Sequence, residues 1–556
     1  MRPGAAMLKS LAMRIPPFAA LALALATAAG VAACQGCQTL PTATVADDEK
    51  AGPTLRLYVV STAAGMLEPC GCTKDQLGGI DHLAAHIASE AKTTKNYLVV
   101  GAGPLLFDEP VIKGDETTQA TWSAEAMAAA MKDLGLAAWA PGANDWAVGA
   151  EALARYREQS GAALLAANVK GAPGAVSSVM REVAGIKVGI VGVADPKSRT
   201  GGYPEGVTAA PPLEVVKAAI EDVKKQGAQI LVGLAALPRG EALRLADAVP
   251  DLHVLVVGKP SESGHTNDLP KPPVLAGSTL VVEAANHLQS VGVVDLFIRG
   301  DIKGAKSPVV FKDAGGVAKA EDILSLGARI RELENRLNNW ENDKTVNAED
   351  VKARKADLER LRAEKAKLEE PGPPVSGSFF RYNLVEVREK LGSEKGVADR
   401  LLAYYKRVNE HNKTAFADRK PEPPAKGQAA YLGVEACTEC HDEERKVWDE
   451  SKHRKAYETL QKDFKEYNLD CVSCHVTGYG KPGGSTVTHV EKLQDVQCEE
   501  CHGPGSLHAK DPGKKGLIIL KPDPQSYVSQ CHHPPHVEGF DPVAEMKNIL
   551  GPGHGM

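Results

Sequence analysis

The chain has 556 residues, 43% of them hydrophobic and 24% charged, a balance that excludes wholesale disorder and a multi-span membrane protein and suggests about two to four domains. Sixty-five basic against 71 acidic residues leave a net charge of −6, so no dominant positive field is offered and nucleic acid is not an expected partner. Aromatic residues are only 5%, which makes the expected core aliphatic. The local exception is residues 429–556, which hold seven of the 11 cysteines and ten of the 16 histidines.

In chain order, Arg2, Lys9 and Arg14 precede the apolar run Ile15 to Ala33, a basic start and greasy middle that read as an export signal over residues 1–33. The run ends Val31-Ala32-Ala33-Cys34, which resembles the lipobox of bacterial lipoproteins. That resemblance implies cleavage before Cys34 and a lipid on its thiol, anchoring the chain in the envelope and facing the periplasm. The alternative is an ordinary signal peptide, with Cys34 and Cys37 as incidental thiols. Gln35 is not the Asp that often retains lipoproteins at the inner membrane, so the outer membrane is preferred by analogy. Residues 34–53, with Thr, Pro and acidic side chains, read as a flexible tether.

Residues 54–318 alternate short β runs with amphipathic helices and predict an α/β layered domain. The expected strands are 55–60, 97–101, 163–167, 187–193, 229–234, 252–258, 279–283 and 291–298. Within the helix expected over Leu213 to Gln226, Val215, Val216, Ala219, Ile220 and Val223 fall at helical spacing. The β runs, with Leu164 to Asn168 and Gly189 to Val193, resemble the metallophosphoesterase domain of 5′-nucleotidases, a sandwich whose two-metal centre is held at strand ends by Asp, His and Asn. The ligand positions do not match. Ser61-Thr62-Ala63-Ala64, Gly101-Ala102-Gly103-Pro104, Gly142-Ala143-Asn144-Asp145, Leu234-Ala235-Ala236-Leu237 and Gly258-Lys259-Pro260-Ser261 stand where metal-binding groups are required. Ala and Pro cannot ligate hard cations, so the metal ligands are lost and phosphoesterase activity is not expected. A cleft kept for binding nucleotide or phosphate is the alternative use of this domain.

Cys70-Gly71-Cys72 is followed by His82 and His86, which stand four apart on an expected helix. Two thiols and two imidazoles could hold zinc; a disulfide or a reduced pair beside two surface histidines is the competing reading. From residue 319 to 370 the composition turns to Glu, Lys, Arg, Leu and Ala. Ile330, Leu333, Leu337 and Trp340, then Val351, Leu358, Leu361 and Leu368, predict a helical hairpin or coiled coil, with Asn347 starting the second helix. Each arm should be ~33 Å long at about 1.5 Å per residue. Residues 371–418 read as a short α/β annex, with a strand over 379–387 and a helix over 397–412. Pro421, Pro423 and Pro424 stiffen a linker over residues 419–428.

The last segment, 429–556, carries C-x-x-C-H three times: Cys437, Cys440 and His441; Cys471, Cys474 and His475; and Cys498, Cys501 and His502. Two thiols at this spacing form thioethers to a porphyrin, and the adjoining imidazole reaches the iron, the pattern of c-type haem. Zinc sites and disulfides use paired cysteines but give no reason for a His after every pair. A fourth run, Val528-Ser529-Gln530-Cys531-His532, has Val in place of the first Cys. Either a single thioether at Cys531 holds a fourth haem or that haem is absent; the cluster His532, His533 and His536 favours the fourth haem. With His441, His475, His502 and His532 as proximal ligands, the expected distal ligands are His453, His489, His508 and His536. His554, in a glycine-rich tail, is expected to face solvent. An iron with two protein ligands is confined to electron transfer, because no position is left for a substrate.

The runs Trp448 to His453, Cys471 to Gly478 and Cys498 to His508 resemble the tetrahaem cytochromes that accept electrons from hydroxylamine oxidation, over about residues 429–540. The resemblance implies distal roles for His453 and His508, redox proteins as partners, and a small, mostly α or irregular multihaem domain with little aliphatic core. Three functions follow in order of preference: an envelope lipoprotein passing electrons through three to four bis-His haems, with no catalytic residues; a reductase of nitrogen or sulfur oxyanions at a five-coordinate haem, the irregular fourth being the candidate; and the nucleotide or phosphate module.

Overall fold

The computed structural model describes residues 51–556 apart from 70–75, 198–201, 263–265, 301–308, 315, 341–345, 371–375, 528–529, 534–536, 538–539, 547–548, 552–553 and 555–556. The export signal, Cys34, Cys70, Cys72, Val528 and His536 therefore lie outside the described residues.

In Leu55–Ser61 nearly every side chain is buried, and successive residues serve different cores. Leu55, Leu57 and Val59 enter the core between two sheets, whereas Tyr58 and Val60 enter the core beneath the outer helices. This is period-2 geometry with both faces covered, and it explains why the strand reads as a continuous apolar run. One sheet has eight strands, in the order Lys312–Asp313, Phe379–Glu386, Ser290–Phe297, Leu55–Ser61, Tyr97–Ala102, Leu136–Ala140, Ala163–Leu165 and Ala175–Val176. The other has six: Lys271–Ala276, Thr279–Glu283, Val254–Gly258, Ile230–Ala236, Ile186–Ala194 and Ser178–Val183. Helices Ile80–Glu90, Thr117–Asp133 and Lys395–Ala415 bury apolar faces in the core that covers the first sheet, and Pro212–Lys225 and Arg239–Ala248 do so on the second. The result is an α/β/β/α sandwich, the layered class expected from the sequence. At one close approach, a side chain at Gly258 would meet the Ala102 carbonyl oxygen at 2.0 Å.

The expected strands are found with shifted ends, and Leu136–Ala140, Ser178–Val183 and Lys271–Ala276 are additions. The strand expected in the annex, Phe379–Glu386, pairs antiparallel with Ser290–Phe297 along its whole length and so belongs to the large sheet. Helices Ala320–Trp340 and Ala348–Glu369 run antiparallel: Arg362 bonds Glu334 at 2.8 Å, and Leu326, Ile330, Leu337, Leu358 and Leu361 pack between them. Asn347 caps the second of these, its side chain accepting from the Glu349 N–H at 3.0 Å. No helix among the described residues is long and apolar enough to cross a membrane.

Candidate functional site

Among the described residues beyond 430 the helices are short, Val434–Thr438, Asp442–Glu450, Ala456–Lys462, Cys498–His502, Ser506–Lys510 and Pro542–Met546, with 3-10 turns between them. Its apolar cluster is four buried residues, Tyr457, Val472, Val476 and Val490. Buried polar groups position the cysteine motifs instead. The Glu499 carboxylate, inside the third motif and 1% exposed, accepts from the backbone N–H groups of Leu432, Gly433 and Gly505 at 2.7–3.0 Å, tying that motif to the approach to the first. Asp495 accepts from the Tyr457 N–H and from Arg454, both at 2.9 Å, and the Val496 N–H donates to the His453 carbonyl at 3.2 Å. His453 is thereby fixed from two sides.

This scaffold sets imidazoles opposite one another. Ring centroids of His441 and His508 lie 6.4 Å apart with planes 26° from parallel, those of His502 and His554 6.2 Å apart at 28°, and those of His453 and His532 6.2 Å apart at 49°. Two metal–nitrogen bonds of about 2 Å, plus about 1 Å from each nitrogen to its ring centre, span ~6 Å, so each gap fits one iron between two imidazoles. Every pair contains one His that directly follows a motif cysteine. None of the seven motif cysteines is in a disulfide, so no disulfide competes with a thioether. Their burial is not uniform. Cys437, Cys471, Cys474, Cys498, Cys501 and Cys531 are half-buried, but Cys440, assigned with Cys437 to the first haem, is exposed. Cys440 falls in the turn just past Val434–Thr438, where its N–H donates to the Cys437 carbonyl at 3.2 Å. Nδ1 of His475 donates to the Ala456 carbonyl and Nδ1 of His502 to the Ile519 carbonyl, both at 2.6 Å, leaving Nε2 of each ring free to ligate. Burial, reinforced by His532, pushes the His453 imidazole down to about 4, and burial also lowers His475 and His532, which keeps these rings in the neutral form that a metal requires.

Residues 436–503 match the family described as cytochrome c554 and c-prime. Cytochrome c-554 of Nitrosomonas europaea is 34% identical over 109 residues, a match covering 17% of this chain and 46% of the relative. The chain thus spans under half the length of that curated relative. The similarity is to a cytochrome c and is confined to the C-terminal segment. Solved structures similar to the chain include a 5′-nucleotidase precursor from Thermus thermophilus (18% identity, TM-score 0.42, 68% of this chain and 61% of that one). Another is the calcineurin-like phosphoesterase YfkN from Bacillus subtilis (17% identity, TM-score 0.37, 44% of this chain and 86% of that one). The segment that resembles cytochrome c554 thus follows the α/β/β/α sandwich in one chain.

The pairings refine the sequence reading. His453 and His508, expected as distal groups, each face a motif histidine. His554 is exposed, as expected, yet its ring faces His502, and only the folded tail brings it there. His489 is half-buried with Nδ1 at 3.2 and 3.4 Å from the Thr488 and Thr486 hydroxyls, and among the described residues it faces no motif imidazole. Phe540 stacks on His532 at 4.1 Å, a contact the sequence reading did not anticipate.

At the strand ends of the sandwich, the positions read as lost metal ligands hold one another. Ser61 donates to the Val257 carbonyl at 2.7 Å, and the Lys259 N–H donates to the Thr62 hydroxyl at 2.8 Å. The Lys259 ammonium pairs with Glu262 at 3.0 Å and with Asp268. Asn144 bonds the Glu262 backbone in both directions. Asp145 is fully buried and accepts from Leu105, Leu106 and Gly142 N–H groups at 2.9–3.0 Å; burial pushes its carboxyl up to about 7 against those three bonds. Of the histidines considered for zinc, Nδ1 of His82 donates to the Gly392 carbonyl at 2.6 Å, and His86 lies edge-on to Tyr58. Among the described residues no cluster of three or more Cys, His, Asp or Glu could hold a metal ion.

Proposed function

We propose that this chain is an envelope lipoprotein that passes electrons between redox proteins through four haems. The motifs at Cys437/Cys440, Cys471/Cys474 and Cys498/Cys501 would attach three of them by two thioethers each, and Cys531 the fourth by one. The observation that carries this reading is the set of three imidazole pairs, His441 with His508, His502 with His554 and His453 with His532, each spaced for one iron. The haems supply one-electron exchange at iron. The protein's own groups fix the ring spacing, and burial keeps His453, His475 and His532 neutral. The pairing of His532 supports a fourth haem despite Val528. Lipid anchoring at Cys34 is supported by the residues preceding it, and the prolines of the linker suit a stiff connection to the anchored sandwich.

The test is a pyridine haemochrome count with electron paramagnetic resonance on the matured protein. Four haems per chain, three of them low-spin, are expected; a colourless chain, or three haems only, refutes the assignment. One observation favours a second reading, reduction of a small oxyanion at an open haem. His475 faces no second imidazole among the described residues, so the open position moves from the irregular fourth motif to the regular second one. Nitrite or hydroxylamine reduction by the pre-reduced protein, with a spectral change confined to one high-spin haem, distinguishes the two readings.

A further inference from the structure

The loop after the third cysteine motif has an apolar crest in solvent. Ile519 is 51% and Leu520 72% exposed, with Leu517 and Ile518 half-buried beside them. Lys510, Lys514, Lys515 and Lys521 flank this crest along the chain, all exposed, and Asp511 is the one acidic residue of 510–521. In a chain of net charge −6, this is a local reversal of sign. Just beyond, Asp523 accepts from the Gln525 N–H at 3.1 Å and serves its own turn. The loop is bonded to the redox site from behind. The Ile519 N–H donates to the His502 carbonyl at 3.0 Å, the Ile519 carbonyl accepts from His502 Nδ1 at 2.6 Å, and Ile519 Cδ1 lies over Gly503.

We propose that the 510–521 loop is the docking surface for an acidic electron-carrier protein, which exchanges electrons with the haem whose proximal ligand is His502. The proposal rests on the haem assignment above. Adjacent exposed aliphatic side chains flanked along the chain by exposed lysines fit a partner that offers an apolar contact patch beside carboxylates. Transient redox encounters bury little area, so a crest this small suffices for contact, while the lysines raise the association rate by steering. An anionic bilayer would also match lysines and leucines. It would give no reason for the loop to be hydrogen-bonded to the iron's imidazole, and that contact decides for a redox protein. In the exchange, one electron leaves the reduced carrier and arrives at ferric iron; no bond forms or breaks and no proton moves.

The experiment uses the full-length holoprotein and three variants: K514E/K515E/K521E, Leu520→Ser, and a control reversal of Lys225→Glu on the far helix of the sandwich. Reduced flavodoxin, an acidic carrier, is mixed by stopped flow at low and high salt, with a neutral flavin semiquinone as the small reductant. The triple variant should lower the second-order rate with flavodoxin by about ten-fold or more at low salt and flatten its salt dependence. Leu520→Ser should lower that rate with the salt slope kept. Lys225→Glu should match the parent, and all rates with the neutral flavin should stay within about two-fold. Unchanged flavodoxin rates in both loop variants overturn the proposal, as does an equal loss with the neutral flavin. Loss of flotation with phosphatidylglycerol vesicles at an unchanged flavodoxin rate assigns the loop to a membrane and overturns it too. A missing haem at His502 would be seen in the haem count before any mixing, and it refutes the site assignment itself.

Discussion

His508 and His554 make the sharpest residue-scale distinction between an iron ligand and a histidine that merely lies nearby. If His508 closes the face opposite His441, His508→Ala opens one coordination position and leaves the other pairs intact. The expected outcome is conversion of one haem per chain from low-spin to high-spin, read by electron paramagnetic resonance and by new carbon monoxide binding to the reduced protein; His554→Ala should convert a different haem. A haem complement unchanged in spin state would exclude either residue as a ligand. The motif histidines were legible in the sequence because local spacing alone dictates thioether chemistry. His453 and His508 were legible as distal candidates, but which histidine stands opposite which was not, because a ring separation of about 6 Å is a property of the folded chain. His554 shows why: its glycine-rich sequence surroundings give no local signal, and only the folded chain sets its ring 6.2 Å from that of His502.

Asp145 provides a second residue-scale prediction, this one in pH. Its folded value of about 7 stands above the ordinary aspartate value near 3.9. Between these values the unfolded chain has released a proton that the folded chain keeps. Its contribution to stability is therefore fully present below about pH 4 and is lost as pH rises through about 7. Asp145→Asn removes the titration. Relative to the parent, the variant should gain urea stability between about pH 4.5 and 7, by at most roughly 1.4 kcal/mol per pH unit, beneath a constant penalty for presenting N–H to N–H. A difference that does not vary with pH would show that the three backbone donors keep the carboxyl ionised.

At the scale of elements, the joint between sandwich and cytochrome is polar and buried. Gln119, Asn412 and Asn468 are 2–4% exposed. The Gln119 amide donates to Asn468 and Asp470, and its oxygen accepts from Asn412 and from the Leu469 N–H, while Asn412 also donates to the Tyr467 carbonyl, all at 2.8–3.2 Å. This network ends one residue before Cys471, so Thr117–Asp133 and Lys395–Ala415 brace the second haem motif. Gln119→Leu removes four hydrogen bonds at once and takes the acceptor from the Leu469 N–H, at a cost of about 1–3 kcal/mol. Two calorimetric transitions in place of one are expected, the lower one belonging to the haem segment; a single transition at the parent temperature would mean that the joint carries no coupling. Glu499→Ala should act within the cytochrome by the same mechanism, removing the acceptor of three backbone donors. Most strands were legible because each is an apolar run between turn residues. Leu136–Ala140 was not: its small, alanine-rich sequence has weak β preference, and its neighbours in the sheet decide it. Phe379–Glu386 was read as a strand of a separate annex because no local signal links it to Ser290–Phe297, its partner across the hairpin helices.

Over the whole molecule, apolar burial is divided unequally. The sandwich has three aliphatic clusters built from its own side chains, whereas, of hydrophobic side chains, the described residues from 429 onward bury only Val434, Tyr457, Leu460, Val472, Val476, Val487, Val490 and Leu493. A span of that size with so few apolar contacts cannot offset its chain entropy, so the porphyrins must supply the missing buried surface. Binding to the folded state alone then becomes folding free energy. Expressed where haem attachment is blocked, the chain should keep a cooperative melt from the sandwich while the cytochrome segment is degraded. Limited proteolysis should cut in or after the exposed 419–428 linker and leave a resistant fragment that still contains Lys395–Ala415, because that helix packs in the sandwich core. The matured protein should resist the same protease at the linker's C-terminal side. A haem-free chain as protected as the matured one would show that Glu499, Asp495 and the Gln119 joint hold the segment without cofactor, and the account of its stability would have to move from buried porphyrin to buried hydrogen bonds.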